Sequence, residues 1–113
     1  MISLKDLKNF DVVITGVRFF NVEEKAPYIS NLLLKYVNEG GNLVVQYNTN
    51  YRLKTKDFYP YPLQISRDRV TQEDAQVTFL NNSHHVMNFP NKLTKDDFNN
   101  WVQERGLYFP NAW

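Results

Sequence analysis

Three places in the chain carry residues able to do chemistry: Gln46-Tyr47-Asn48-Thr49-Asn50, Gly16-Val17-Arg18 and His84-His85. The first follows the apolar run Leu43-Val44-Val45 and offers four side chains that can hydrogen-bond, Gln46, Asn48, Thr49 and Asn50. In an open α/β sheet, ligands and catalytic groups gather beyond the carboxyl ends of strands. An α/β hydrolase would place a strained nucleophile there, between flanking glycines. Val45-Gln46-Tyr47-Asn48-Thr49 has no cysteine, no serine and no glycine, and Thr49 is its only aliphatic hydroxyl. A weak nucleophile needs a positioned base, and none is adjacent in sequence. The turn therefore reads as a hydrogen-bonding surface, and no catalytic residue is assigned.

Gly16-Val17-Arg18, at a strand end before a helix, could receive an anion. The stretch has no G-x-G-x-x-G and no P-loop lysine, so the phosphate signal is weak. Arg18, Arg52, Arg67 and Arg69 could converge on a carboxylate or sulfate. The commoner arrangement is that such arginines pair with Asp68, Glu73 and Asp74 and hold the loop together. For His84-His85, adjacent side chains diverge in strand and helix alike. No H-E-x-x-H or similar spacing accompanies them, so the expectation is one buried, hydrogen-bonded ring and one exposed ring, with no metal assigned. Tyr47…Tyr51 and Phe58-Tyr59-Pro60-Tyr61-Pro62 could stack on sugar rings or bases; more often such rings pack inward with their hydroxyls at the edge.

The elements that must position these groups are legible in part. Ser3-Leu4-Lys5-Asp6 has the form of a capping box, with Ile2 and Leu7 at the staple positions, which predicts a short opening helix. Asp11-Val12-Val13-Ile14-Thr15, closed by Gly16, has the pattern of a buried parallel strand. Residues 16–21 read as a loop. From Glu23 to Asn38 the spacing is helical, with Ile29, Leu32, Leu33, Tyr36 and Val37 on one stripe and Pro27 in the first turn. Gly40 can end the helix in a left-handed conformation. Asn42 to Tyr47 is the next strand. Strand, helix and strand over this length make a βαβ unit with parallel strands.

Beyond Asn50 the pattern weakens. Leu63-Gln64-Ile65-Ser66 and Ala75-Gln76-Val77-Thr78-Phe79-Leu80 read as strands. Thr94, with Asp97 three residues on and Leu93 opposite Phe98, caps a last helix. That helix would bury Phe98, Trp101 and Val102 and stop at Gly106, with Leu107-Tyr108-Phe109 extended after it. Two parallel strands and a few short ones do not complete a sheet covered on both faces. An open parallel edge is a template for pairing, so a homo-dimer or an intramolecular partner domain is expected.

Composition bounds the function classes. A chain of 113 residues is one domain or part of one. Thirteen Lys and Arg against twelve Asp and Glu, net +1, argues against a nucleic-acid footprint. No apolar run approaches the ~18 residues of a membrane span, and the first residues do not form a signal peptide. Having no cysteine, the chain has no disulfide framework or thiolate chemistry. Cytoplasm and periplasm are both compatible with that.

Phe10-Asp11-Val12-Val13-Ile14-Thr15-Gly16-Val17-Arg18, residues 40–50, Ser66-Arg67-Asp68-Arg69-Val70-Thr71 and Trp101-Val102-Gln103-Glu104-Arg105-Gly106-Leu107-Tyr108-Phe109 together resemble one family. It is the class I glutamine amidotransferase-like domain found in the C-terminal part of large bacterial PIG-L/LmbE-type deacetylases. A looser likeness, through His84 and the strand-end unit, reaches ThuA-like domains. The resemblance spans nearly the whole chain. It implies a flavodoxin-like three-layer (αβα) fold, incomplete here, with residues 1–113 as the central portion of a single domain that begins earlier and ends later. In true amidotransferases the strand corresponding to 42–47 leads into a cysteine elbow, and a cysteine, a histidine and a glutamate form the triad. With no cysteine here, that activity does not carry over. The companion domain's zinc motif is also absent, and no cofactor is implied.

The resemblance implies a non-catalytic accessory module that binds a ligand, with carbohydrate as the expected class, or packs on a partner domain. Its candidate pocket lies over Gly16, Arg18, Gln46, Tyr47, Asn48, Thr49 and Asn50, with Arg67, Asp68, His84 and His85 at the edge. The alternative is a metal- or water-dependent hydrolase using His84, His85 and nearby carboxylates.

Overall fold

Ser3 caps the first helix as the residues around it require. Its hydroxyl accepts from the Asp6 N–H, and the Asp6 carboxylate accepts from the Ser3 N–H at 2.8 Å, closing the expected capping box. The Ser3 hydroxyl, which donates to the same carboxylate at 2.7 Å, and the Ser3 N–H together hold the Asp6 carboxyl below its usual range. The computed structural model describes residues 2–102 and 106–112. In chain order the elements are α1 (Leu4–Leu7), β1 (Val12–Thr15), α2 (Phe19–Val22), α3 (Ala26–Asn38), β2 (Asn42–Val45), β3 (Gln64–Ile65) and β4 (Arg69–Val70). Two 3₁₀ turns follow, His85–Met87 and Lys95–Phe98, and then β5 (Gly106–Leu107) and β6 (Pro110–Ala112). The fold class is a small α/β protein with two-stranded sheets. Its residues sort into two units, Met1–Asp68 with Leu107–Trp113, and Arg69–Gly106.

In the first unit β1 and β2 pair in parallel, Val12 opposite Asn42 through Thr15 opposite Val45. The βαβ reading holds, with two changes of detail. The expected loop at 16–21 contains the one-turn helix α2, and Glu23 then turns extended, so α3 starts at Ala26 rather than at Glu23. β2 ends at Val45, two residues before the expected Tyr47. Along α3, Leu33 and Tyr36 are buried and Ile29, Leu32 and Val37 pack against the core, as the stripe predicts.

Gly40, at φ +94°, ends α3. The Gly41 N–H donates to the Tyr36 carbonyl and the Gly40 N–H to that of Val37, the paired bonds of a Schellman stop. Tyr36 then crosses under the turn, and its hydroxyl donates to the Phe10 carbonyl at 2.8 Å. A Cβ on Gly41 would fall inside the Tyr36 ring. Gly41→Ala should therefore destabilise by about 1–3 kcal/mol, as overpacking does. Tyr36→Leu in the same chain should recover part of the loss and Tyr36→Phe none, because the ring and not the hydroxyl is in the way. Urea titration followed by circular dichroism reads both.

Leu7, Phe20, Ala26, Leu33, Tyr36 and Phe58 form the core of this unit. Phe20 and Phe58 stack with centroids 4.2 Å apart. The Ser30 hydroxyl, buried on α3, donates to the Asp57 carbonyl and ties the irregular 50s segment to the helix. Val13, Leu43 and Val45 face this core. Val12, Ile14 and Val44, on the other face, are about half exposed. β1 thus differs from the strand buried on both faces that its apolar run suggested. A single crossover places its helices on one side of the sheet only. β3 pairs antiparallel with β6, with a register irregularity between Gln64 and Ile65.

The second unit departs most from expectation. Residues 75–80 form no strand. The Thr94 capping box is present, with Asp97 accepting from the Thr94 N–H at 2.6 Å, but it opens a 3₁₀ turn rather than an α-helix. Phe98 is half-buried, stacking on Trp101 at 4.9 Å and meeting Phe79 edge-on, while Trp101 and Val102 are exposed. The rest of the expected helix includes residues 103–105, which lie outside the described residues. Among the described residues of this unit no side chain is buried. A capping box supplies under one turn's worth of satisfied donors, and a short helix with no apolar face to pack on does not propagate.

Candidate functional site

The two strand-end loops meet at the carboxyl end of β1 and β2. The Arg18 N–H donates to the Tyr47 carbonyl at 2.6 Å, joining the Gly16-Val17-Arg18 loop to the turn after β2. Below this link the polar side chains turn inward. Asn48 accepts from the Phe20 N–H at 3.0 Å and donates to the Gln46 carbonyl at 2.8 Å. Asn21 accepts from the Thr49 N–H at 2.9 Å and donates to the carbonyls of Thr49 and Tyr51. The Thr49 hydroxyl donates to the Tyr51 carbonyl at 3.0 Å. Asn21, Asn48 and Thr49 are all buried. Their hydrogen-bonding capacity holds the backbone of the turn, as buried polar groups must be satisfied.

Of the turn residues expected at a pocket rim, Gln46 and Tyr47 face solvent, and Asn50 is half-buried. Gly16 and Arg18 are exposed. Arg67 and Asp68 lie in an exposed turn in which the Asp68 N–H donates to the Ser66 hydroxyl. That turn is pinned to the C-terminal segment: Ser66 N–H donates to the Phe109 carbonyl at 2.8 Å, and Tyr108 N–H to the Asp68 carbonyl at 3.0 Å.

Tyr108 is thereby set between two other tyrosines. Its ring centroid is 5.9 Å from that of Tyr47 and 6.0 Å from that of Tyr51, and the rings are tilted by 57° and 61°. Tyr47 and Tyr51 are each about two-fifths exposed. Desolvation pushes the Tyr47 phenol above its ordinary value, Tyr108 and Tyr51 add to this, and the nearby Arg18 guanidinium opposes it. Arg18 (φ 61°), Arg52 (φ 55°) and Tyr108 (φ 60°) all hold left-handed backbone. Each such non-glycine residue costs on the order of 1–3 kcal/mol, and strain of this kind collects at functional sites.

His84 and His85 belong to the second unit. The His84 Nδ1 accepts from the Val86 N–H at 3.2 Å and starts the 3₁₀ turn, while the His85 ring packs on Phe89 at 5.1 Å. Both histidines are exposed, in place of one buried and one exposed. Among the described residues, no three His, Asp or Glu side chains come together in a way that could hold a metal ion. The ion pairs among them are Lys8–Glu39 and Lys54–Glu24. Arg18, Arg52, Arg67 and Arg69 take part in neither, so the expected pairing with Asp68, Glu73 and Asp74 is not the arrangement found.

Tyr51, Tyr108 and Asn21 are the residues that sequence reasoning left out of the site. Tyr51 stood in a recognised tyrosine pair, and Tyr108 in a string set apart for its likeness to a family. Nothing local to Asn21 signals contacts nearly thirty residues away.

Fold and site together define a small α/β protein with a tyrosine-lined surface at the carboxyl end of a parallel strand pair. No family model, curated protein or solved structure matches the chain. No helix among the described residues is long and apolar enough to cross a membrane.

Proposed function

We propose that the chain is a non-catalytic binding module that takes a carbohydrate on Tyr47, Tyr51, Tyr108 and Arg18. The tilted tyrosine trio carries this reading. It gathers three hydroxyl-bearing rings, two of them about two-fifths exposed, which suits a sugar ring with C–H faces and peripheral hydroxyls. Arg18 adds a charged donor at the same edge. The buried Asn21, Asn48 and Thr49 preorganise the turn beneath it, which lowers the ordering cost of binding. The resemblance to the amidotransferase-like domain of PIG-L/LmbE-type deacetylases supports the narrower form of the proposal, an accessory role for an enzyme acting on N-acetylated sugars. A flavodoxin-like three-layer sheet would further require a partner layer or second copy over Val12, Ile14 and Val44.

Titration of the protein with N-acetylglucosamine oligomers, followed by amide chemical shifts, tests the proposal. Tyr47→Ala and Tyr108→Ala should each weaken binding at least about tenfold, roughly 1.4 kcal/mol. Tyr28→Ala, at an exposed tyrosine on α3, should change nothing. Equal losses at Tyr28 and Tyr108, or saturable shifts that avoid the trio, would rule the surface out.

A further inference from the structure

We infer a second binding site in the first unit, one that takes a small carboxylic acid bearing a hydroxyl or N–H donor. The site is a cavity of about 260 Å³ between the irregular 50s segment and β3, and it shares no residue with the tyrosine trio. Leu53, Phe58, Leu63 and Ile65 supply its apolar wall. Phe58 is itself buried and backed by the stacked Phe20 ring, so that side is rigid. Asn50, Lys56 and Gln64 supply the polar lining.

The Asn50 side chain sets the hydrogen-bonding demand. Its Oδ1 is buried and has no partner among the described residues, while its neighbours Asn48 and Thr49 are fully engaged. A buried acceptor without a donor favours any ligand that brings one. Lys56 sets the charge. Among the described residues no carboxylate lines the cavity, and Lys56 is in none of their ion pairs. An anionic group on the ligand therefore meets a cation with no competing carboxylate. The volume is far more than the roughly 15 Å³ that one water requires. A flat or branched apolar body would lie against the leucines and Phe58, where water has few partners. These three demands (a donor, an apolar body and a carboxylate) describe the ligand class.

Titration of the full chain with 4-hydroxyphenylacetate, read by amide and side-chain chemical shifts, tests this. The probe carries a phenol donor, a ring and a carboxylate, and phenylacetate lacks only the donor. The hydroxylated probe should bind with Kd on the order of 1 mM and shift Asn50, Phe58, Gln64 and Ile65. Phenylacetate should bind about tenfold more weakly. Asn50→Leu should erase that difference by weakening only the hydroxylated probe, and Lys56→Gln should weaken both about threefold. The comparison of the two probes on the unaltered chain stands even where a variant fails to fold. Equal affinities for the two probes, shifts centred on Tyr47 and Tyr108, or no saturation by about 20 mM would overturn the site. Failure of the sugar titration would leave these outcomes untouched, since the two surfaces share no residue.

Discussion

Phe20→Ala should remove about 3–5 kcal/mol of stability, the usual cost of deleting a buried aromatic ring. Phe20 is fully buried, stacks on Phe58 and meets Phe19 edge-on at 5.0 Å. It sits on the one-turn helix α2, where its N–H is held by Asn48 and its carbonyl accepts from the Lys54 N–H at 2.8 Å. The ring is therefore the point at which the strand-end loop, the turn after β2 and the irregular 50s segment meet. Marginal domains have about 5–15 kcal/mol in all, so a loss of this size should bring unfolding close to room temperature. Phe20→Leu should recover more than half of the loss by refilling the volume. Phe89→Ala, at an exposed ring in the second unit, should stay within about 0.5 kcal/mol of the parent. A urea midpoint for Phe20→Ala as high as that for Phe89→Ala would show that this stack is not the keystone of the unit.

Why Phe20 escaped a reading of the sequence is instructive. Gly16-Val17-Arg18-Phe19-Phe20-Asn21 has no helical period, because α2 is a single turn set by Arg18 in left-handed backbone rather than by local propensity. By contrast, the capping box at Ser3 and Asp6, the stripe on α3 and the glycine stop at Gly40 are local signals, and all are present. The parallel pairing of β1 with β2 is long-range, and it was legible because a strand, a helix and a strand in succession allow few other arrangements. The same contrast divides the candidate site. Polar residues after β2 were legible as a cluster, but not which of them face outward. Asn48 and Thr49 turn inward because Phe20 and Asn21 offer backbone and amide partners across twenty-eight residues. Tyr47, Tyr51 and Tyr108 come together because Asp68 anchors Tyr108 from its carbonyl. In the second unit, Val77, Phe79 and Phe98 have the residue types of a core but are not buried by any opposing layer among the described residues, so periodicity there predicted elements that packing does not sustain.

Asn21→Leu should cost about 2–4 kcal/mol and cripple the tyrosine surface at the same time. The substitution keeps the side chain's size and removes three hydrogen bonds. It leaves the buried Thr49 N–H and Thr49 carbonyl without their partner, while the Tyr51 carbonyl keeps the Thr49 hydroxyl. Asn21→Asp separates the two halves of that network. A carboxylate can still accept from the Thr49 N–H, but it faces two carbonyls and loses the donor they need. Burial and those carbonyls should raise the carboxyl pKa in the folded state above its unfolded value of about 4. The folded state then binds more protons, so Asn21→Asp should be most stable below about pH 4 and lose stability as pH rises through the folded pKa. Thermal melts at pH 4 and pH 7 read the sign directly, and the Thr49 amide shift reports whether the turn has moved. If Asn21→Leu melts with the parent chain, or Asn21→Asp gains stability toward pH 7, then Asn21 does not support the turn. The preorganisation argued for Tyr47 and Tyr51 would then lose its physical basis.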